Sequence, residues 1–368
     1  MSETHTLGLG LIGCGAFGAF CLEAFKKLDG IEPTAVADVV ADAADRLGKQ
    51  FDVPAHHDPA ELFARDDVHI VHIATPPSTH CELAVAAAKA GKHVLCEKPL
   101  ATSVADGDAI LAAAAKGGTI APVNFVLRYN LITDAVKAVI DSGVLGKVLG
   151  ARLTNCAADS NLPPKHWFWN RELSGGIFIE HGTHFFDMYR YWLGPGEVID
   201  AHAETREGTD QQDRVMCTVR HDSGAVASYY HAFDQISPMD RTDHRLVCEL
   251  GDILIDGWIP LSMTIDAALD NEGADKLAEI LPGGNLQTLE ALRGLSIMGR
   301  GQRRKVERKI RLTYEPWVDK QAVYANSVCD LMTDQIAFIR DPSHPRRIAE
   351  DNGRLSLADA CRATEMAS

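Results

Sequence analysis

Hydrophobic residues follow two different rhythms along this 368-residue chain. Over the first third, short apolar runs alternate with stretches of helical period. Leu7 to Ile12 is one such run. Beyond it Phe17, Phe20, Cys21, Ala24, Phe25 and Leu28 recur about every 3.6 residues, which predicts a helix with one apolar face. Thr34 to Asp38, Val68 to Ala74, His93 to Cys96 and Thr119 to Val126 predict four further strands. One helix starts near Thr79 and ends at Gly91; an alanine-rich one runs from a Ser103–Asp106 cap to Gly117–Gly118. Strand and helix in alternation predict a parallel, doubly wound sheet. After a helix from Ile132 to Ser142 the period shortens to two. Val148 to Cys156, Ile199 to Arg206, Arg214 to His221, Ala225 to Phe233, Arg245 to Leu250 and Ile253 to Asp256 all read as strands. The C-terminal segments Val323 to Arg340 and Leu355 to Met366 are amphipathic helices, expected to pack across the second domain.

The first strand runs into the first helix through a G-x-G-x-x-G turn, Gly13, Gly15 and Gly18. Gly13 permits the tight turn, Gly15 lets backbone approach a pyrophosphate, and Gly18 lets the helix pack close to the strand. Ala16 and Phe17 open that helix, whose free N–H groups and dipole favour phosphate. Asp38 follows 20 residues after Gly18, at the end of the second strand. A carboxylate there accepts both ribose hydroxyls and repels a 2′-phosphate, so NAD is the expected cofactor. The chain therefore divides into a Rossmann domain, residues 1–124, and an α+β domain, residues 125–368, with a large, mostly antiparallel open sheet.

Composition narrows the function without naming it. A chain of this length exceeds one core, and 46% hydrophobic with 24% charged residues is ordinary for a globular protein. A net charge of −15 argues against nucleic-acid and anionic-membrane partners. Nine cysteines without C-x-x-C spacing fit free thiols. Together with an N-terminus lacking a signal-peptide pattern, they predict a cytoplasmic protein.

The third strand ends in Ala74-Thr75-Pro76-Pro77-Ser78-Thr79-His80, turning across the carboxyl edge of the sheet. His69 and His72 on that strand have no partner at metal-ligand spacing and read as packed or solvated. Ala90-Gly-Lys-His-Val-Leu-Cys96 then leads into Glu97-Lys98-Pro99. Together these segments resemble the glucose-fructose oxidoreductase/inositol dehydrogenase (Gfo/Idh/MocA) family, and the resemblance continues into the second domain. It implies that Lys98 reaches both the nicotinamide side and the substrate hydroxyl. It also implies cofactor contacts from Thr75, Pro76, His80, Glu97 and Asn124, and a substrate contact from Arg128.

A second motif, from Gly175-Gly176 through Glu180 and Gly182 to His184, is similar to the family's G-G-x-x-x-D-x-G-x-H, with Glu180 where aspartate is usual. His184 matches the family's general base. On a helix Glu180, His184, Asp187 and Tyr191 share one face, so Glu180 is expected to orient His184. His181 sits about 100° from Glu180 around the axis, so the three do not converge on an ion, and no metal is expected. Upstream, Trp167, Trp169 and Arg171 suit the faces and hydroxyls of a sugar or cyclitol, or equally pin a loop. The segment Glu272 to Gln302 departs from the family pattern as an insertion, and the basic run Gly299 to Arg311 reads as a solvated strand or helix face.

The expected function is an NAD-dependent dehydrogenase that oxidises a secondary hydroxyl of a sugar, sugar derivative or cyclitol. Lys98, His184 and Glu180 are its catalytic groups. Two alternatives share the fold: an NAD-dependent glycosidase working by transient oxidation and elimination, and a ligand sensor without turnover. An open sheet face implies a homodimer or homotetramer.

Overall fold

Five parallel strands form the first sheet in the order β3-β2-β1-β4-β5 in a computed structural model that describes residues 6–316 and 319–367. The strands are β1 (Leu7–Ile12), β2 (Ile31–Ala37), β3 (Ala55–His56), β4 (Ile70–Ile73) and β5 (His93–Cys96). The helices between them are α1 (Ala16–Phe25), α2 (Ala41–Phe51), α3 (Pro59–Phe63), α4 (His80–Lys89) and α5 (Val104–Gly117). From Gly8 to Ile12, β1 is buried, as a central parallel strand covered on both faces must be. Leu9, Leu11 and Ile12 of β1 and Leu22 and Phe25 of α1 are all buried, and each such side chain contributes about 1.5–3 kcal/mol.

The expected strand from Thr119 to Val126 is only partly realised. Its backbone follows β5, since Val94 N donates to Ile120 O (2.8 Å) and Cys96 N to Pro122 O (3.0 Å). Pro122 has no N–H to return, so the ladder reduces to a single bridge between Cys96 and Val123.

The second sheet has nine strands in the order β13-β14-β12-β11-β10-β6-β9-β8-β7. They are β6 (Val148–Ala158), β7 (Gly196–Thr205), β8 (Gln212–His221), β9 (Val226–Gln235), β10 (Arg241–Cys248), β11 (Gly251–Asp256), β12 (Met263–Leu269), β13 (Asn285–Gly299) and β14 (Gln302–Tyr314). Pairing is antiparallel except between β6 and β9. Burial alternates along β8 and β10, which matches the period of two in the sequence. Val215, Cys217 and Leu246 are buried, while Met216 and Val247 on the other face are over 40% exposed.

The segment Glu272 to Gln302, read as an insertion, forms most of α9 (Asn271–Ile280) and β13, and ends where β14 begins. Most of the basic run Gly299 to Arg311 lies on β14, where Arg304, Arg308 and Arg311 pair with Glu249, Asp275 and Asp266 at 2.6–2.8 Å.

The remaining helices are α6 (Leu131–Ser142), α7 (Arg171–Ser174), α8 (Thr183–Leu193), α10 (Lys320–Arg340) and α11 (Glu350–Met366). The chain forms two compact units, each drawn from three stretches, where a single cut between residues 124 and 125 was expected. The first unit comprises the segment ending at Tyr129, Lys165–Asp187 and Ala325–Arg362; the rest forms the second. Most of α10 and α11 therefore belongs to the first unit, not the second as their amphipathicity suggested. Specific bonds hold them there: Cys329 Sγ to Ala24 O, Arg340 to Gly30 O, Arg354 to Asp108, and Ala121 N to Glu350. Amphipathicity shows that a helix has a buried face but does not say which sheet covers it. All nine cysteines are free thiols. Among the described residues no helix is long and apolar enough to cross a membrane.

Candidate active site

The glycine turn meets the geometric demands of a dinucleotide. Gly13 has φ +99°, and a Cβ there would lie 2.4 Å from Ala74 O. A Cβ on Gly18 would lie 2.1 Å from Gly13 O, so α1 can approach β1 only with glycine at that position. At Gly15 a Cβ would meet nothing within 4 Å, which leaves open space over the turn. Gly15 is also the N-cap of α1 and has no side chain with which to cap it. A cleft of about 520 Å³ is lined by Gly13, Gly15, Asp38, Thr75, Pro76 and Trp167, among others. The Asp38 carboxylate is fixed at its rim by N–H bonds from Cys14 (2.7 Å) and Val40 (2.8 Å), one to each oxygen. Each oxygen keeps a lone pair for a hydroxyl. An open cradle, an uncapped helix N-terminus and a strand-end carboxylate fit a dinucleotide.

Beyond the cleft, Lys98 stands two residues after the end of β5. Its Nζ donates to the Glu180 backbone O at 2.8 Å and makes an ion pair with the Glu180 carboxylate. The expected Glu180–His184 relay assumed an α-helix through both residues. Residues Phe178–Gly182 instead form a widened π turn before α8 begins at Thr183, after Gly175 and Gly176 with φ +82° and +93°. The register is shifted, and the Glu180 carboxylate is committed to Lys98.

His184 is buried, its ring edge-on to Phe125 at 6.0 Å. Burial first, then the Lys98 charge and His181, push its pKa well below 6.5, so the imidazole is neutral at neutral pH. His181 is pushed down to about 3 by burial and Lys98. Asp187 and Tyr191 do not join this face: Asp187 accepts from Arg128 (3.2 Å), and Tyr191 donates to Asp134 (3.3 Å).

Other expected site residues are placed differently. Arg128 is buried, bonded to Asp187 and to Arg347 O, so its guanidinium serves the core. His80 is fully buried, with Nδ1 2.7 Å from Pro99 O and Nε2 2.9 Å from Thr75 O; its neutral ring donates to one of these carbonyls, and it does not line the cleft. Glu97 and Asn124 are buried and bonded to each other (2.7 Å). Trp169 packs edge-on against Phe168 at 5.0 Å, and Arg171 is exposed at the start of α7. Lys98, Glu180, His184, Asp38 and Trp167 all belong to the first unit.

His72, read from the sequence as packed or solvated, is fully buried, and its partner was not foreseen: Nε2 lies 2.8 Å from Glu97 Oε1. The signal was register: His72 pairs with Leu95 across β4 and β5, so Glu97 two residues on shares its face. Cys21 joins this pair in a buried group whose potential ligand atoms lie within 4.8 Å of one another.

A family model for an oxidoreductase family with an NAD-binding Rossmann fold matches residues 7–125, and one for the GFO/IDH/MocA C-terminal domain matches residues 133–253. Myo-inositol 2-dehydrogenase of Thermotoga maritima is 32% identical over 226 residues, 59% of this chain and 66% of that protein. Levoglucosan dehydrogenase of Pseudarthrobacter phenanthrenivorans is 29% identical over 256 residues, 62% of this chain and 64% of that protein. The matched stretches thus span under two-thirds of these relatives. A solved levoglucosan dehydrogenase in complex with NADH and L-sorbose shares the fold, with a TM-score of 0.75 at 22% identity over 99% of this chain and 98% of that chain.

Histidines held neutral give the fold a pH dependence. His80, His184 and His244 all have folded pKa values below 6.5, that of His244 about 3. Below pH 6.5 the unfolded chain binds more protons, so this stability is present above that pH and lost as pH falls through the folded values. The thermal midpoint is expected to fall between pH 7 and pH 5. A midpoint that is flat or rises over that interval contradicts the burial of these rings as neutral groups.

Proposed function

The chain belongs to the Gfo/Idh/MocA oxidoreductase family, and on that premise we propose that it is an NAD-dependent dehydrogenase of a secondary hydroxyl on a sugar, sugar derivative or cyclitol. The observation that carries this reading is a lysine cation held by a carboxylate in the same compact unit as a buried neutral histidine. When bound, NAD supplies the hydride acceptor. Gly13, Gly15 and the α1 N-terminus hold its pyrophosphate, and Asp38 its adenosine ribose.

Three side chains divide the remaining work. Lys98 donates a charge-assisted hydrogen bond to the substrate oxygen and stabilises negative charge as it develops. His184, already in its accepting form, takes the hydroxyl proton. Its low basicity makes the imidazolium a strong acid, so the proton returns readily when the reaction runs towards alcohol. Glu180 keeps the Lys98 ammonium in place. Trp167 at the cleft offers an aromatic face to the C–H side of a ring.

His184→Ala is expected to lower kcat by roughly 10²–10⁴-fold, the usual span for losing a general base. Lys98→Ala should be of similar severity, followed as NADH absorbance on a panel of inositols, sugars and glycosides. Full activity in His184→Ala would remove the proposed base. Cleavage of a glycoside while NAD keeps its starting oxidation state would favour the oxidation–elimination alternative.

The second unit supports self-association as a dimer or tetramer. Met216, Val226 and Val247, on neighbouring strands β8 and β9 and on β10, are each over 40% exposed on a nine-stranded sheet. Sedimentation is expected to give the mass of two or four chains at micromolar concentration; the mass of one chain would contradict this.

A further inference from the structure

One buried cluster has no part in the chemistry above. Glu97 Oε1 sits 2.8 Å from His72 Nε2 and accepts from Asn124 Nδ2 at 2.7 Å, with all three residues buried. A carboxylate only accepts, so His72 carries a proton on Nε2 and donates it. Away from water such bonds are electrostatically strong, and losing one donor leaves a buried acceptor short. The backbone at the same place is tied on both sides. Glu97 N donates to Ile73 O (2.9 Å), and Asn124 N donates to Cys96 O (2.8 Å). The Cys21 thiol, within 4.8 Å of the group, is pushed up by burial and stays neutral, so it adds no competing charge.

The consequence lies in the next residue. Glu97 and Lys98 follow the end of β5, and their side chains part. Glu97 enters the core, while Lys98 emerges towards Glu180. A carboxylate gripped by His72 of β4 and by Asn124 of the segment beside β5 fixes the peptide plane from which Lys98 departs.

We propose that His72 is a positioning residue for Lys98: together with Asn124 it clamps Glu97 and thereby sets where the Lys98 ammonium stands. The kinetic consequence rests on the dehydrogenase reading; the geometric one does not.

The test compares His72→Phe, which keeps a ring but donates nothing, with His72→Gln, which restores an N–H donor. The first readout is the rate at which Lys98 is acylated by an amine-reactive probe, measured by peptide mass spectrometry and normalised to exposed Lys49. His72→Phe is expected to change that ratio several-fold, and His72→Gln to bring it back towards the parent value. The second readout is kinetic: His72→Phe should lower kcat by roughly tenfold or more, as for small misplacements of reacting groups, with the KM for NAD little changed. A folded His72→Phe whose Lys98 ratio equals the parent's overturns the proposal. Because acylation needs no substrate, a shifted ratio in a protein that reduces no NAD with any polyol would uphold the positioning role and reject the dehydrogenase reading. Should His72→Phe fail to fold, Asn124→Ser removes the other donor and is held to the same two outcomes.

Discussion

A lysine ammonium brought to the edge of a buried sheet must be given a partner, and the rest of the first unit is arranged around that requirement. Lys98 and Glu180 are both largely shielded, with side chains 19% and 11% exposed. Removing either partner strands a charge where water compensates it poorly, which typically costs more than the pair contributes. The widened turn at Phe178–Gly182 meets the demand twice over, since one residue supplies both its carboxylate and its backbone oxygen to the same ammonium. Burial first, and that cation after it, keep His184 neutral, because an imidazolium there would face desolvation and then repulsion.

Much of this was legible in the sequence because the signals were local. The glycine turn, Asp38 and the alternating strands rest on backbone conformation and side-chain period, which neighbouring residues determine. The structure adds the physical reasons for the glycines, as at Gly18, where a Cβ would collide with Gly13 O. What sequence could not supply was long-range choice. Which sheet α10 and α11 cover depends on contacts over 200 residues away, such as Cys329 with Ala24. The strand after α5 failed at Pro122, a visible residue whose missing N–H outweighs the apolar pattern around it.

The errors at the site share one cause. Helical spacing paired Glu180 with His184, and that pairing assumes a regular α-helix. A single π turn shifts the register and redirects the carboxylate to Lys98, 82 positions away in the chain. Arg128, His80 and Asn124 belong to the expected region but spend their polar atoms on the frame: Asp187 and Arg347, Pro99 and Thr75, Glu97. Hydrogen-bond partners separate the expected residues that line the cleft from those bonded into the frame around it.

The central claim is that Lys98 and Glu180 act as one unit. A double-mutant cycle on kcat/KM with Lys98→Ala, Glu180→Gln and the double variant measures this directly. If the carboxylate works through the lysine, the loss from Glu180→Gln should largely vanish once Lys98 is alanine, giving a coupling of about 0.5–3 kcal/mol. Losses that simply add would show that Glu180 acts independently of Lys98 and would contradict the account.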